Sequence, residues 1–396
     1  MRRRELGIYV HIPFCVRKCN YCDFLSFPAS RQTQEQYCDA LKDEIRQFPY
    51  AAQYEVVSVF FGGGTPSLPD PHLTAGVLDV IRDSFLVRKD AEITIECNPG
   101  TLSDEKLSVY HEAGFNRLSI GLQSADNTLL GRLGRIHTWE VFAEEYRAAR
   151  SAGFSNISVD LMYGLPGQTC ALWEETLHRV LSLPNDGAKA DRPTGPEHIS
   201  AYSLIIEEGT PFWDMYHEDA LTRARGDRPL FLPDESSEAQ MQEDLQRMLQ
   251  QAGMHRYEIS NYALPGRESR HNVGYWIRRE YAGFGLGASG QIAAERIRNT
   301  ADLSEYLNTG GRVAEHTCLT RENEIEETMF LGLRMMEGVD LDRFAETFSV
   351  RAEDLYADVI GPLAKQNLLI IEEGHLKLTQ RGIDVSNLVM AEFLLE

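Results

Sequence analysis

The chain has 396 residues, too many for one ordinary core, so a large domain and a smaller one are expected. With 43% hydrophobic and 25% charged residues it has the balance of a globular protein, and no apolar run is long enough to cross a bilayer. Sixty acids against 39 bases give a formal charge of −21, which repels phosphate backbones and anionic lipid and argues against a nucleic-acid partner.

Met1-Arg2-Arg3-Arg4 is basic, but Leu6 to Val10 is too short and mixed for a secretion signal, so a cytoplasmic location is expected. Apolar, β-branched runs follow at Gly7–Phe14, Val56–Phe61, Glu92–Cys97, Arg117–Leu122, Asn156–Met162 and His198–Ile206. Helical spacing fills the gaps, as at Gln34–Phe48, Leu73–Phe85 and Trp139–Ala152. Helices between buried strands predict parallel βαβ units, here an α/β fold with a partial (β/α)6, TIM-like barrel over residues 1–228.

Pro184 to Glu197 reads as a loop rich in Pro, Gly, Asp and Lys. A family-specific extension, 229–320, contains a polar helix at Glu235–Gln251, a strand at His255–Tyr262 and a Gly-rich stretch from Tyr281 to Gly290. From Arg321 onward short amphipathic helices close with strands at Leu368–Glu372 and His375–Thr379, predicting a mainly helical, winged-helix-like domain over 321–396. That shape often binds DNA. Here 16 acids against 7 bases favour docking of a protein instead.

Seven cysteines, three crowded into eight residues and four scattered, make a poor disulfide framework, and clustered thiols more often bind metal. The segment His11-Ile12-Pro13-Phe14-Cys15-Val16-Arg17-Lys18-Cys19-Asn20-Tyr21-Cys22-Asp23-Phe24 follows the first predicted strand, at the end where such barrels build their sites. Three thiolates from Cys15, Cys19 and Cys22 suit three irons of a [4Fe–4S] cluster, leaving the fourth open to chelate a small molecule. Structural zinc is the competing reading, but it usually takes paired C-x2-C knuckles and no second knuckle exists. The remaining strand ends carry Tyr9, Gly63-Gly64-Thr65, Glu96, Gln123, Asp160 and Ser203, polar positions expected to converge on one mouth.

The triad, followed by Gly62-Gly63-Gly64-Thr65-Pro66, resembles the radical S-adenosylmethionine superfamily. More closely, with Leu133-Gly134-Arg135-Ile136-His137, it resembles the branch holding oxygen-independent coproporphyrinogen III oxidases and the HemW heme chaperones. The resemblance implies that Gly63, Gly64 and Thr65 line the methionine end of S-adenosylmethionine, with Glu96 toward its ammonium and Arg135 toward its carboxylate. It further implies acceptors at Gln123 and Asp160 for ribose or ammonium donors and Tyr21 against the adenine. A reduced cluster would pass one electron to the sulfonium, which implies an electron donor to the cluster.

Three features favour the chaperones within that branch. The oxidases have a further cysteine two residues past the triad, where this chain has Phe24; they also have an N-terminal extension, whereas the triad here begins at residue 15. Arg270-His271-Asn272-Val273-Gly274-Tyr275-Trp276 resembles the HNxxYW signature of the chaperones. The implied function is to bind heme as cargo and transfer it to respiratory heme-protein recipients, with a homodimer as one assembly the reading admits. His271 is the expected axial ligand and Tyr275 and Trp276 the expected stacking partners; the plain alternative is a helix start and an interface filler. Competing functions are radical decarboxylation of coproporphyrinogen III, other radical chemistry on heme, and a scaffold with a structural metal.

Overall fold

The computed structural model describes residues 3–185, 194–311 and 313–395. Six parallel strands form its wall: β1 (Arg4–Ile12), β2 (Tyr54–Gly63), β3 (Leu86–Cys97), β4 (Arg117–Gln123), β5 (Ile157–Tyr163) and β6 (His198–Ser203). Helices α1 (Arg31–Arg46), α2 (Pro71–Ser84), α3 (Asp104–Ala113), α4 (Asn127–Arg132), α5 (Trp139–Ser151) and α6 (Cys170–Leu181) return the chain between them. Each starts at a capping side chain: Ser30, Asp70, Ser103, Asp126, Thr138 and Thr169 accept an N–H of the first turn. The middle of the predicted Pro184–Glu197 loop lies outside the described residues.

Alternation sets the two faces of the wall. In β1, Leu6, Ile8, Val10 and Ile12 are fully buried in the main apolar core, while Gly7, Tyr9 and His11 face the lumen. The same period places Ser58 and Phe60, Glu92 and Glu96, Arg117 and Ser119, Ser158 and Asp160, and His198 and Ser200 inside. The lumen is therefore polar and the helix-facing side apolar.

The sheet does not stop at six strands. After α7 (Pro211–Ala224) and α8 (Glu235–Gln251), a short hairpin of β7 (His255–Glu258) and β8 (Asn261–Ala263) extends β6 antiparallel. The single strand expected at His255–Tyr262 is thus two, because the chain turns at Ile259-Ser260. Helix α9 (Arg270–Trp276) then plugs the floor of the barrel, and β9 (Tyr281–Phe284) joins the free edge of β1 in parallel. Its neighbours β10 (Ser289–Ile292), β11 (Glu295–Asn299) and β12 (Val313–Cys318) complete a 12-stranded sheet. Gly283 permits the close approach of β9 to β10: a Cβ there would lie 1.9 Å from the Ser289 carbonyl oxygen. Segment 229–320 therefore extends both edges of the barrel sheet.

Beyond Arg321 the tail forms its own apolar core from Ile325, Met329, Phe344, Leu376 and Phe393, among others. Its helices surround a three-stranded sheet that includes the expected hairpin, Leu369–Glu372 with His375–Leu378. This matches the winged-helix-like expectation in form.

Candidate functional site at the barrel mouth

Past Ile12 the chain leaves β1 and loops over the barrel mouth. The loop closes on itself where Cys15 donates its N–H to Phe27 and Phe27 donates to Pro13, at 3.1 and 2.9 Å. The glycine turn after β2 runs beside it, with Gly64 donating to Ile12 and Thr65 to Phe14, both at 2.8 Å. Only glycine fits at 64, since a Cβ would meet backbone atoms of Phe14 and Ile12 at 2.8–2.9 Å. A third segment, Leu129–Arg135, fastens the far side: Asn20 donates to Leu133, and Arg17 donates to the Gly134 carbonyl at 2.7 Å.

These contacts hold Cys15, Cys19 and Cys22 partly exposed on one wall of a cavity of about 390 Å³. Tyr21, Gly63, Gly64, Thr65, Glu96, Gln123, Arg135, Asp160 and Ser203 line the same cavity, as the strand-end rhythm predicted. Tyr9 does not; its hydroxyl pairs with His11 Nδ1 at 3.1 Å and its ring stacks on Phe60, so it supports the wall from behind. Ser203 lines the far side and donates its hydroxyl to Glu238.

The donor set fits a cluster better than one zinc ion. Among the described residues, the group of His, Cys, Asp or Glu donors lying mutually within 4.8 Å is Glu295, His316 and Cys318. The three mouth thiols form no such group, and one ion with Zn–S bonds of about 2.3 Å needs closer sulfurs. Arg135 stands next to them. It donates to Asn98 at 2.7 Å, to the Gly121 carbonyl and to Cys19 Sγ at 3.6 Å, while its Nε is buried with no partner. An orphaned guanidinium N–H beside the cavity suits an anionic ligand group.

Opposite lies a pair of carboxyls. Burial, with the neighbouring Asp160 next in effect, pushes Glu96 up to about 8; burial also raises Asp160. Glu96 accepts from the Gly63 N–H at 3.2 Å, and Asp160 accepts from the Ser119 hydroxyl at 3.1 Å. Such a pair suits a cation-bearing ligand. Gln123 ends β4 at φ 71°, a left-handed conformation rare for a side-chain-bearing residue and often found where a ligand is held.

Sequence reasoning passed over Asn98, Arg117, Ser119 and Ser200, which share the cavity. Arg117 is the most informative: it is 2% exposed, its Nε has no partner, and its charge partly offsets both carboxyls. An arginine inside an otherwise apolar strand run was the available signal. Phe24 rims the cavity, 63% exposed.

The HNxxYW segment lies below the mouth cavity. His271 is 3% exposed, with Nδ1 3.0 Å from Ser58 Oγ, Nε2 2.9 Å from the Tyr275 hydroxyl and its ring stacked on Phe60. Burial pulls it down to about 3, so it is neutral, yet both nitrogens are already engaged and neither faces an open site. Tyr275 packs edge-on against Tyr281, and Trp276 sits under the Arg334 guanidinium of the tail, 4.3 Å from the ring centre. Trp276 thus lies at the join between barrel and tail, and Tyr275 packs within the barrel floor. Asn272 alone of the motif reaches the mouth cavity, from beneath.

A family model described as Radical SAM superfamily matches residues 9–180, and one described as HemN C-terminal domain matches 319–385. The chain is 37% identical to the protein named heme chaperone HemW of Bacillus subtilis, over 98% of both chains. It is 35% identical to that of Lactococcus lactis, over 100% of this chain and 99% of the relative. The solved structure of Escherichia coli coproporphyrinogen III oxidase (HemN) superposes with a TM-score of 0.82 at 24% identity, covering 99% of this chain and 90% of the oxidase, which shows a shared fold. Full-length identity of this order, with both domain models in sequence, means that the chain belongs to the HemW family of the radical S-adenosylmethionine superfamily.

Proposed function

We propose that the protein binds heme and passes it to respiratory apoproteins, holding a [4Fe–4S] cluster on Cys15, Cys19 and Cys22 and S-adenosylmethionine in the mouth cavity. The observation that carries this reading is the shared cavity of the three thiols with Glu96, Arg135 and Asp160, rimmed by Phe24 where an oxidase-like chain would place a fourth cysteine. The names of the full-length relatives support the heme part. When bound, the cluster supplies an open iron for the amino acid end of the cofactor and one electron for its sulfonium. The chain's own residues do the binding: Arg135 takes the carboxylate, Glu96 the ammonium, Gln123 and Asp160 the ribose, and Tyr21 the adenine. Tyr202 and Ile205 rim the same cavity.

The proposal includes an electron donor to the cluster and admits a homodimer. Among the described residues no helix is long and apolar enough to cross a membrane. The test is anaerobic. Chain loaded with hemin should reconstitute an apo-cytochrome faster than free hemin does, and should yield no protoporphyrinogen from coproporphyrinogen III with reductant and S-adenosylmethionine. Steady turnover of coproporphyrinogen would overturn the proposal in favour of an oxidase.

A further inference from the structure

Strand β12 ends the 12-stranded sheet, and all six of its residues are exposed. It pairs antiparallel with β11 in a register that sets Cys318 opposite Glu295 and His316 opposite Ile297. Residues two apart on a strand share a face, and so do cross-strand partners. Glu295, His316 and Cys318 therefore stand together on one side of the ribbon. The other side carries Arg296 and Arg298, which pair with Glu327 at 2.8 Å and Glu315 at 3.4 Å. The cations of β11 are thus held away from the three donors.

The triad is closely drawn. An imidazole nitrogen, a thiol sulfur and a carboxylate oxygen all lie within 4.8 Å of one another, and His316 Nε2 is 3.5 Å from Glu295 Oε2. Around a tetrahedral zinc ion with bonds of about 2.0–2.3 Å, neighbouring donors stand about 3.3–3.7 Å apart. The imidazole and carboxylate already hold that spacing, and the thiol needs to move by about 1 Å at most.

The backbone beneath them is pinned. Ala293 and Ala294 turn the chain between β10 and β11 with φ of 48° and 55°, and Ala293 donates its N–H to Glu280 at 2.7 Å. Just beyond Cys318, Leu319 donates to the Ala294 carbonyl at 2.7 Å. The donors are thus presented on a fixed ladder, which limits the ordering that an ion would have to impose. Their chemistry narrows the choice of ion. Carboxylates alone would suit calcium or magnesium, whereas a thiol with an imidazole selects a softer, borderline ion.

We propose that Glu295, His316 and Cys318 form a metal site, separate from the mouth thiols, that takes one zinc-class divalent ion and ties the exposed end of β12 to β11. On binding, the thiol gives up its proton to solvent and the ion takes the thiolate; water completes the tetrahedron. The site depends on neither the heme nor the S-adenosylmethionine assignment.

The test compares the full wild-type chain with Cys318→Ser, anaerobically, by zinc titration against a chromophoric chelator and by cobalt substitution. The two chains share every mouth thiol, so the difference between them reports this site alone. Wild type should bind one zinc more per chain, and only that extra site should give a thiolate-to-cobalt charge-transfer band. His316→Ala should weaken the extra zinc on the order of tenfold or more, at least what an outer-sphere partner is worth. Zinc should also slow alkylation of Cys318, followed by peptide mass, on the order of tenfold in wild type but not in His316→Ala. All three positions are exposed, so each variant should melt close to the metal-free wild type. Equal zinc content in wild type and Cys318→Ser, or alkylation of Cys318 unaffected by zinc, overturns the site. Loss of iron and acid-labile sulfide in Cys318→Ser overturns it too, by assigning that thiol to the cluster.

Discussion

Glu96 offers a quantitative test of the mouth cavity. Its carboxyl stands at about 8 because burial disfavours its charge, and Asp160 adds to that. S-adenosylmethionine brings an ammonium, which pairs with the ionised form, so binding must remove the proton. At pH 8 about half of the unliganded chains carry the carboxylate, and at pH 6 about one in a hundred; affinity should fall about 50-fold over that interval. Asp160, also raised, moves the effect in the same direction. Titration calorimetry at pH 7 in two buffers of different ionisation enthalpy should count about 0.9 proton released per cofactor bound. Glu96→Gln should bind more weakly at pH 8, by about 10-fold or more, and show a shallower profile between pH 6 and 8, with only the Asp160 contribution left. The unliganded fold has the opposite trend. A carboxyl raised by burial contributes fully below its ordinary 4.5, and that contribution is lost as pH rises through about 8. Affinity independent of pH in the wild type, or an unchanged slope in Glu96→Gln, would refute the reasoning.

Further outcomes follow from packing. Gly64→Ala places a methyl 2.8–2.9 Å from the Ile12 and Phe14 backbone, so the cluster loop must move; iron and acid-labile sulfide per chain should drop well below wild type, and equal content would count against the fit. Arg150 and Glu197 form a buried ion pair at 2.8 Å, 1% and 0% exposed, and Glu197 also accepts from the Ile157 N–H at the start of β5. Glu197→Ala strands the guanidinium and should cost about 3–5 kcal/mol in denaturant unfolding, whereas a change below 1 kcal/mol would contradict this. His271→Ala removes the Ser58 partner and the stack on Phe60 and should lower stability by about 2–4 kcal/mol in denaturant unfolding, whereas a change below about 1 kcal/mol would contradict this.

Local pattern carried much of the fold. The six barrel strands and their helices were visible because apolar runs, caps and turns are short-range features, and the hairpin of the tail was visible for the same reason. The first strand begins earlier and ends earlier than expected, at Arg4 and Ile12, since Phe14 bridges to Phe27 and not to a neighbouring strand. The floor and edges were not legible. That β9 pairs with β1, across more than 260 residues, is a contact that no window of sequence records.

By itself the sequence determined the thiol spacing, the glycine turn and the strand-end rhythm that bring all but Tyr9 of the predicted mouth residues to one cavity. Those features are encoded by neighbours in the chain, and a parallel barrel converts strand order into a common mouth. Only the tertiary structure decided the direction in which His271 points and the burial of Arg117 beside the lumen carboxyls. A motif names which residue types are present. Whether an imidazole is spent on Ser58 and Tyr275 or left to an incoming iron depends on groups far away in sequence, brought there by the packing of the barrel against its tail.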